Sequence, residues 1–570
     1  MVNLTIDRCP VTVPEQTTIL EAARTVGIRI PTLCYLKGIN EVASCRVCAV
    51  EIEGVDKLAT ACNTVVAEGM VVHTSTERVR RTRKINVELI LSQHMDHCVT
   101  CMRSGNCSLQ TLSRDMNIQH VPFGQEAPAR PWDPALPILR NSTKCIKCLR
   151  CVSVCEKMQT LGVWEVTGSG AHTAVRVRGG VQMDAANCSL CGQCVVHCPV
   201  GALQERDDTE RVFEAMADPT RTVVFQIAPA VRAAWGDGLG LSPELATEKR
   251  LAAAVRAMGV EHVFDTSFTA DLTIMEESGE LIERLAGRKP GPLFTSCCPG
   301  WIRFVKQEAP ELLPQISTAK SPQQMFGAVT KSYYAKLLGK DPKELFCVSV
   351  MPCTAKKYEC SAAQPADAPV RDVDVALTTR ELDRMLRAMQ VSPASLPEEE
   401  FDSPMGSRSG AGVIFGAAGG VMEAALRTAY WRLQGKDPSP DAFQDLRGPS
   451  GWREAEFTIG DRTLHVAVAS GLGNARELLR ALREGRVQYD FVEVMACPGG
   501  CVGGGGQPIR EGVDVSLSRG SLLFALDEAD KIRFSHENPD VRKLYDTYLD
   551  APLSEKAHAL LHTDQAKWPL

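Results

Sequence analysis

Two stretches of this chain repeat one cysteine spacing. Cys145-x2-Cys148-x2-Cys151-x3-Cys155 returns as Cys188-x2-Cys191-x2-Cys194-x3-Cys198-Pro199. Thiols at such close intervals suit a shared metal centre better than a scatter of disulfide bridges. The chain holds 23 cysteines in 570 residues, and most sit at comparable spacings. Its start has neither the basic n-region nor the apolar h-region of a signal peptide, so a reducing, cytoplasmic setting is expected. No apolar run approaches the ~20 residues needed to span a bilayer. A net charge of −6 argues against nucleic acid or an anionic membrane as partner. The length allows several domains and at least one large core.

The repeated runs have the spacing of bacterial two-cluster ferredoxins, in which the fourth cysteine of each run crosses to the other cluster. Cys145, Cys148, Cys151 and Cys198 are expected on one 4Fe–4S centre, and Cys188, Cys191, Cys194 and Cys155 on another. Glu156 stands where the first run would normally carry proline. Upstream, Cys34-x10-Cys45-x2-Cys48-x13-Cys62 resembles the plant-type 2Fe–2S scheme, with a longer first gap. It lies in a β-rich segment, with strands expected at Val2–Ile6, Val11–Val13, Cys48–Ile52 and Val71–His73 and a short helix over Thr18–Val26. A four-cysteine zinc site is the alternative. Cys9 has no partner at ligand spacing and is expected to be an ordinary buried thiol. His94-x3-Cys98-x2-Cys101-x5-Cys107 can hold either zinc or an iron–sulfur cluster. Its place between two other cluster motifs favours the cluster. The first ~210 residues thus read as electron-carrying centres in series, and the reaction must lie downstream.

From about residue 210, apolar β-like runs alternate with helical stretches, as in an α/β domain of largely parallel strands. Strands are expected at Thr222–Ile227, Pro292–Thr295, Leu345–Val350, Val373–Leu377, Leu464–Ala469 and Phe491–Val494. Thr378 and Glu381 stand at capping-box spacing, and Ser321-Pro322 opens another helix. Three of the runs lead into cysteine: Cys297-Cys298, Cys353, and Cys497 with Cys501. Ligands of such sheets gather beyond the carboxyl ends of the strands. Four thiolates could converge there, with Cys297 to spare. Gly471-Leu472-Gly473 lacks the third glycine of a dinucleotide fingerprint and is expected to be a strand-to-helix turn. The glycines from Gly503 to Gly506 let backbone approach a cofactor closely.

Thr295-Ser296-Cys297-Cys298-Pro299-Gly300-Trp301, Met351-Pro352-Cys353-Thr354-Ala355-Lys356-Lys357-Tyr358-Glu359 and Glu493-Val494-Met495-Ala496-Cys497-Pro498-Gly499-Gly500-Cys501 resemble the three signatures of iron-only (FeFe) hydrogenases. The upstream motifs resemble the monomeric members with a full set of accessory clusters. Ser535-His536-Glu537-Asn538-Pro539 resembles the segment that corresponds to the family's small subunit.

The resemblance implies an H-cluster: a 4Fe–4S cubane joined by a cysteine thiolate to a diiron unit with carbon monoxide, cyanide and a bridging azadithiolate. Cys298, Cys353, Cys497 and Cys501 would ligate the cubane, with Cys501 as the bridge. Lys356 would donate to one cyanide, and the backbone at Ala228, Pro229 and Ala230 would cradle the other. Gln323, Met351, Phe415 and Met495 would line the pocket. Protons would pass through Cys297, Glu277, Ser317 and Glu280, with Arg284 at the surface. Read without the resemblance, Glu277 and Glu280 are two acids on a solvated helix face. Cys347 and Cys360 match no signature and are expected to be structural.

The expected architecture is multidomain, α+β and α/β. Residues 1–80 form a plant-type, β-grasp ferredoxin-like domain with one 2Fe–2S cluster, and 81–126 a small His/Cys domain. Residues 127–209 form a two-cluster bacterial ferredoxin domain, which brings the 4Fe–4S clusters to three. Residues 210–570 form an α/β H-cluster domain ending in the small-subunit-like segment. The expected activity is reversible reduction of protons to H2 with electrons from a ferredoxin or flavodoxin, after maturation proteins insert the diiron unit. The alternatives are a non-catalytic iron–sulfur assembly relative and an electron-transfer subunit of a larger complex.

Overall fold

A computed structural model of the chain describes residues 1–95, 97–124, 129–364, 370–448 and 451–570. The expected boundary at 126/127 lies outside the described residues. The chain divides into two compact units: 1–186 with 197–204, and 187–196 with 205–570.

The first unit opens on a hairpin of β1 (Val2–Ile6) and β2 (Cys9–Val13). Alternation along β1 sends Val2, Leu4 and Ile6 inward. Helix α1 (Ile19–Thr25) starts where the Thr18 hydroxyl accepts the Glu21 N–H at 3.3 Å. Strands β3 (Ala49–Ile52), β4 (Ala59–Thr60) and β5 (Val71–His73) complete a sheet of order β2-β1-β5-β3-β4. Cys9 begins the edge strand, and its thiol is exposed rather than buried. Only one face of that hairpin meets the core, and Val11 and Val13 occupy it. Helix α2 (Glu77–Leu91) follows, capped by Thr76.

The second unit carries two four-stranded sheets. The first is all parallel, in the order β7-β6-β9-β10, with β6 at Thr222–Ile227, β7 at His262–Asp265, β9 at Leu345–Met351 and β10 at Val375–Thr378. Every residue of β9 and β10 is buried, as helices on both faces require. The capping box at Thr378 and Glu381 is formed, and Ser321 caps the helix at Pro322–Val329.

The second sheet runs β8-β13-β12-β11, with β8 at Leu293–Phe294, β11 at Gly451–Ile459, β12 at Arg462–Ser470 and β13 at Phe491–Met495. Here β11 pairs antiparallel with β12 and closes the edge. No strand expected from the sequence covers β7 or β11. The latter alternates polar and apolar residues and lies half exposed, so no apolar run marks it. Gly471, at φ +88°, turns β12 into a helix, as expected.

Helix α3 (Ser267–Leu285) runs through the core and is buried along nearly its whole length, including Asp271, Glu276, Glu277, Glu280 and Arg284. A helix buried all round is ordinarily apolar. Charged groups in such a place need specific partners, and these partners lead to the site. Among the described residues, no helix is long and apolar enough to cross a membrane.

Candidate active site

The carboxyl ends of β6, β8, β9 and β13 feed one pocket in the second unit. Ala228, Pro229 and Ala230 follow β6, Cys297 and Cys298 follow β8, Met351 ends β9 before Cys353, and Met495 ends β13 before Cys497 and Cys501. All of these line the cavity, as do Gln323, Lys356 and Phe415. The structure thus gathers every residue assigned to the pocket from the sequence. Its wall is almost wholly carbon and sulfur, apart from the Lys356 ammonium and the Gln323 amide.

The glycine run serves this convergence by close backbone approach. A Cβ on Gly504 would lie 2.1 Å from Pro352 O, and one on Gly506 2.7 Å from Cys353 N. Gly505 abuts Cys191 O at 2.4 Å by the same measure. Real Cβ atoms do not come so near, so larger residues would push the third cysteine loop away from the second. Gly504 also lines the cavity.

The thiols share one electrostatic predicament. Burial, then the proximity of the other thiols, pushes Cys353 up to about 12 and lifts Cys497 and Cys501 far above the usual thiol range. Burial likewise raises Cys298. Four thiolates in so dry a place require a cationic centre, which deprotonates coordinating thiols outright. The donor set therefore fits an iron–sulfur cubane. Among the described residues, no group of three or more His, Cys, Asp or Glu side chains forms a site for a single metal ion.

Lys356 is buried, and its Nζ donates to Cys297 O at 3.1 Å and to the Glu359 carboxylate at 2.8 and 3.0 Å. Burial works to lower its pKa, but Glu359 overcomes this and holds the ammonium above its ordinary value. A lysine fixed in its charged form at an apolar cavity wall is a standing donor toward an anionic ligand. Gln323 is anchored too: its amide donates to Glu359 at 2.9 Å and accepts from the Ser349 hydroxyl at 2.7 Å.

Cys297 is buried, and burial followed by the Glu277 charge keeps its pKa far above the thiol range. It is a thiol, not a thiolate. Glu277 is fully buried, contrary to the solvated-face reading. Its Oε1 accepts from the Ser296 N–H and hydroxyl, both at 3.3 Å, and its Oε2 has no hydrogen-bond partner among the described residues. Burial, then the nearby Glu280 charge, raises it to about 8, with the Ser296 and Ser317 hydroxyls opposing in part. Ser317 is buried beside it and accepts the Ala319 N–H at 3.2 Å. Glu280 accepts from Thr318, both the hydroxyl at 2.5 Å and the N–H at 3.1 Å.

One expectation fails here. Arg284 is 8% exposed rather than at the surface, and it donates to Pro290 O and Pro314 O, both at 3.0 Å. Two backbone carbonyls, rather than the Glu280 carboxylate, hold the guanidinium. Ser296, Thr318 and Glu359 also belong to the site without being among the residues expected from the sequence. Each is adjacent to, or one helical turn from, one of those expected residues, which is the signal that could have found them.

In the first unit, Cys34, Cys48 and Cys62 are buried and Cys45 half-buried. Cys45 hydrogen-bonds Cys34 and lowers it to about 6, and Cys62 lowers Cys48 in the same way. His94 is buried whereas His97 is exposed. His94 Nδ1 lies 3.0 Å from Lys144 O, so it carries the proton and leaves the lone pair on Nε2, the arrangement of a ligating imidazole. Cys148 and Cys198 are buried, and burial first, with neighbouring thiols such as Cys145 adding to it, raises both above the usual thiol range. Cys155 accepts the Val163 N–H at 3.3 Å. In the run from Cys145, Lys147 and Leu149 have φ of 55° and 65°. In the run from Cys188, in the second unit, the equivalent Leu190 and Gly192 have 56° and 72°. The left-handed residues recur at the same places, so both loops curl alike. Cys347 and Cys360 are buried in an apolar core cluster.

Comparison with known proteins agrees with this geometry. Residues 221–505 match the C-terminal domain of the iron-only hydrogenase large subunit, and residues 513–565 match the iron hydrogenase small subunit. Residues 1–77 match a 2Fe–2S iron–sulfur cluster binding domain, 83–122 the NADH-ubiquinone oxidoreductase-G iron–sulfur binding region, and 144–202 a 4Fe–4S dicluster domain. The NADP-reducing hydrogenase subunit HndD of Solidesulfovibrio fructosivorans is 47% identical, over 100% of this chain and 99% of that one. Iron hydrogenase 1 of Clostridium pasteurianum is 38% identical, over 96% and 97%. A solved structure of apo FeFe-hydrogenase HydA1 from Chlamydomonas reinhardtii superposes with a TM-score of 0.55 at 45% identity, covering 62% of this chain and 98% of that one.

Proposed function

The chain belongs to the iron-only hydrogenase family, and on that premise we propose that it catalyses the reversible reduction of protons to H2. The observation that carries this reading is the pocket itself. Cys298, Cys353, Cys497 and Cys501 reach it from three chain segments, with Cys297 and Lys356 on the same wall. An assembly relative would need the four ligands but neither the spare thiol nor the buried ammonium. An electron-transfer subunit would need no such pocket.

The four cysteines would hold the cubane, and Cys501 would bridge to the diiron unit. When bound, the H-cluster supplies the metal site at which electrons and protons combine. The protein's own contribution is placement and proton supply. Lys356 Nζ would donate to one cyanide, and the backbone at Ala228–Ala230 would receive the other. The apolar wall excludes water, so protons must come along side chains. Cys297 Sγ holds one as a thiol at any pH near neutrality, because burial keeps it there. Glu277, protonated below about pH 8, can replace it as it leaves. Ser317 and Glu280 continue the relay outward.

Electrons would arrive through one 2Fe–2S and three 4Fe–4S clusters from a ferredoxin or flavodoxin in the cytoplasm. Identity along the whole length to a component of an NADP-reducing hydrogenase favours a second reading of the partner, in which electrons are exchanged with NADP through an associated protein. Matured protein should show infrared bands of metal-bound carbon monoxide and cyanide, and should evolve H2 from a reduced viologen. Loaded protein without those bands would overturn the assignment. Side-by-side assays with reduced ferredoxin and with NADPH decide the partner.

A further inference from the structure

With Arg284 tied to Pro290 O and Pro314 O, the relay beyond Glu280 needs another way out. A guanidinium does not give up its proton in a protein, so Arg284 cannot itself pass one. Glu280 is bonded instead to Thr318, and Thr318 Oγ1 lies 2.8 Å from His562 Nδ1. His562 Nε2 lies 3.0 Å from Glu276 Oε2. Its ring packs against that of His558, with centroids 4.1 Å apart and the planes tilted by 40°. His558 is exposed to solvent, whereas the His562 side chain is only 5% exposed.

We infer that His562, carried by the segment that matches the small subunit, is the outermost buried member of the proton relay and connects Glu280 to solvent through Thr318. The inference rests on the proposed hydrogenase activity for its purpose, but its geometry stands alone. An imidazole both accepts and donates protons near neutral pH. Charged, His562 donates from Nδ1 to the Thr318 hydroxyl and from Nε2 to Glu276. When the Nδ1 proton moves to Thr318 Oγ1, the Thr318 hydroxyl proton moves to Glu280. One proton has then advanced, Thr318 is unchanged, His562 is neutral and Glu280 is a carboxylic acid. Water at the small exposed part of the His562 side chain returns a proton to the neutral imidazole.

The surroundings hold the ring for this task. Ala319 pairs with His562 as an antiparallel bridge, and the Thr563 N–H donates to Thr318 O at 2.8 Å. The facing ionisable groups are Glu276 and Glu280 from α3 and His558 from its own helix, Glu555–Leu561. Glu276 is fixed in turn by the Tyr545 hydroxyl and by the Leu553 N–H at 2.9 Å. Each of these contacts to Glu276 comes from the small-subunit segment, which gives that tail a task besides packing.

The test is deuterium uptake by the buried Glu277 acid, read from the downshift of its infrared carboxyl stretch after transfer to D2O at neutral pH. The band is identified by its absence in Glu277→Gln. Uptake should slow roughly tenfold in His562→Gln, a modest share of what a positioned acid or base contributes. Thr318→Val, which leaves the histidine in place, should slow it as well. In His562→Gly, added imidazole should restore uptake, and pyrazole, of the same shape but far less basic, should not. H2 turnover in loaded protein should follow the same order. Uptake at the wild-type rate in both His562→Gln and Thr318→Val, or equal rescue by imidazole and pyrazole, overturns the inference. The exchange is measurable without the diiron unit. Wild-type protein that exchanges through His562 yet makes no H2 when loaded would fell the proposed activity and leave the exit standing.

Discussion

The cysteines of the first unit and those of the active-site pocket reach their positions in different ways. Within each cysteine run of the first unit, neighbouring cysteines have two to thirteen residues between them, and left-handed residues such as Lys147 and Leu149 curl the intervening backbone. In the pocket, Cys298, Cys353 and Cys497 come from separate strands of two sheets. A loop site depends mainly on the few residues of its own run, with one ligand crossing over in the repeated pair. The pocket depends on the register of both sheets and on glycines that let one loop touch another. Damage to a loop ligand should therefore stay local, whereas damage to the pocket should remove the reaction.

The largest contrast is expected between Cys353→Ala and Cys48→Ala. The first should abolish H2 turnover and the carbon monoxide and cyanide bands together. The second should leave those bands intact and slow only turnover driven through the protein carrier, with viologen-driven turnover less affected. Iron content and infrared spectra of both variants check this. Loss of the pocket bands in Cys48→Ala would break the contrast.

Gly504→Ala sharpens the same comparison, because it removes no ligand. Its Cβ would meet Pro352 O at 2.1 Å, and a carbonyl on the ligand loop cannot yield as a flexible side chain could. The strain should cost a few kcal/mol, in the range of overpacked cores. It should appear as reduced cofactor loading at unchanged first-unit iron. Gly69→Ala, with open space around its Cβ but φ of +72°, should cost only about 1–2 kcal/mol and leave loading unaltered.

How much was legible in the sequence follows the same division. Loop sites are written locally, so Cys34, Cys45, Cys48, Cys62 and the two repeated runs could be picked out by spacing alone. The strands ending in cysteine were visible as apolar runs because parallel strands are buried on both faces. Strand β11 was not, since it is a half-exposed edge. The pocket residues came through the family signatures, as no spacing links Ala228 to Cys501. The outer relay was hidden for a physical reason. Thr318 and His562 are brought together by a single backbone bridge across the core, and neither sits in a periodic pattern. Arg284 was placed at the surface through the family resemblance, whereas here two carbonyls draw it inward.

Glu277 offers a smaller test that involves no metal ligand. Its carboxyl is raised from the ordinary glutamate value to about 8, by burial first and by Glu280 second. The folded protein therefore keeps a proton that the unfolded chain releases. Stability from this group is complete below the unfolded pKa, near 4.5, and is lost as pH rises toward about 8. Glu277→Gln has no proton to lose, so the variant should gain on the wild type across that window, with the difference levelling off above pH 8. Urea unfolding of both proteins at pH 6, 7 and 8.5 measures it. Proton reduction should show the opposite balance. Turnover by the wild type should fall as pH passes 8, and Glu277→Gln should be slow at every pH, by roughly 10²-fold as for a lost proton-transfer group. A variant that is both slower and more stable at pH 8 marks a group kept for the reaction at the expense of the fold. Unchanged stability across the window would mean that Glu277 is not held neutral, and the relay would lose its innermost carboxylic acid.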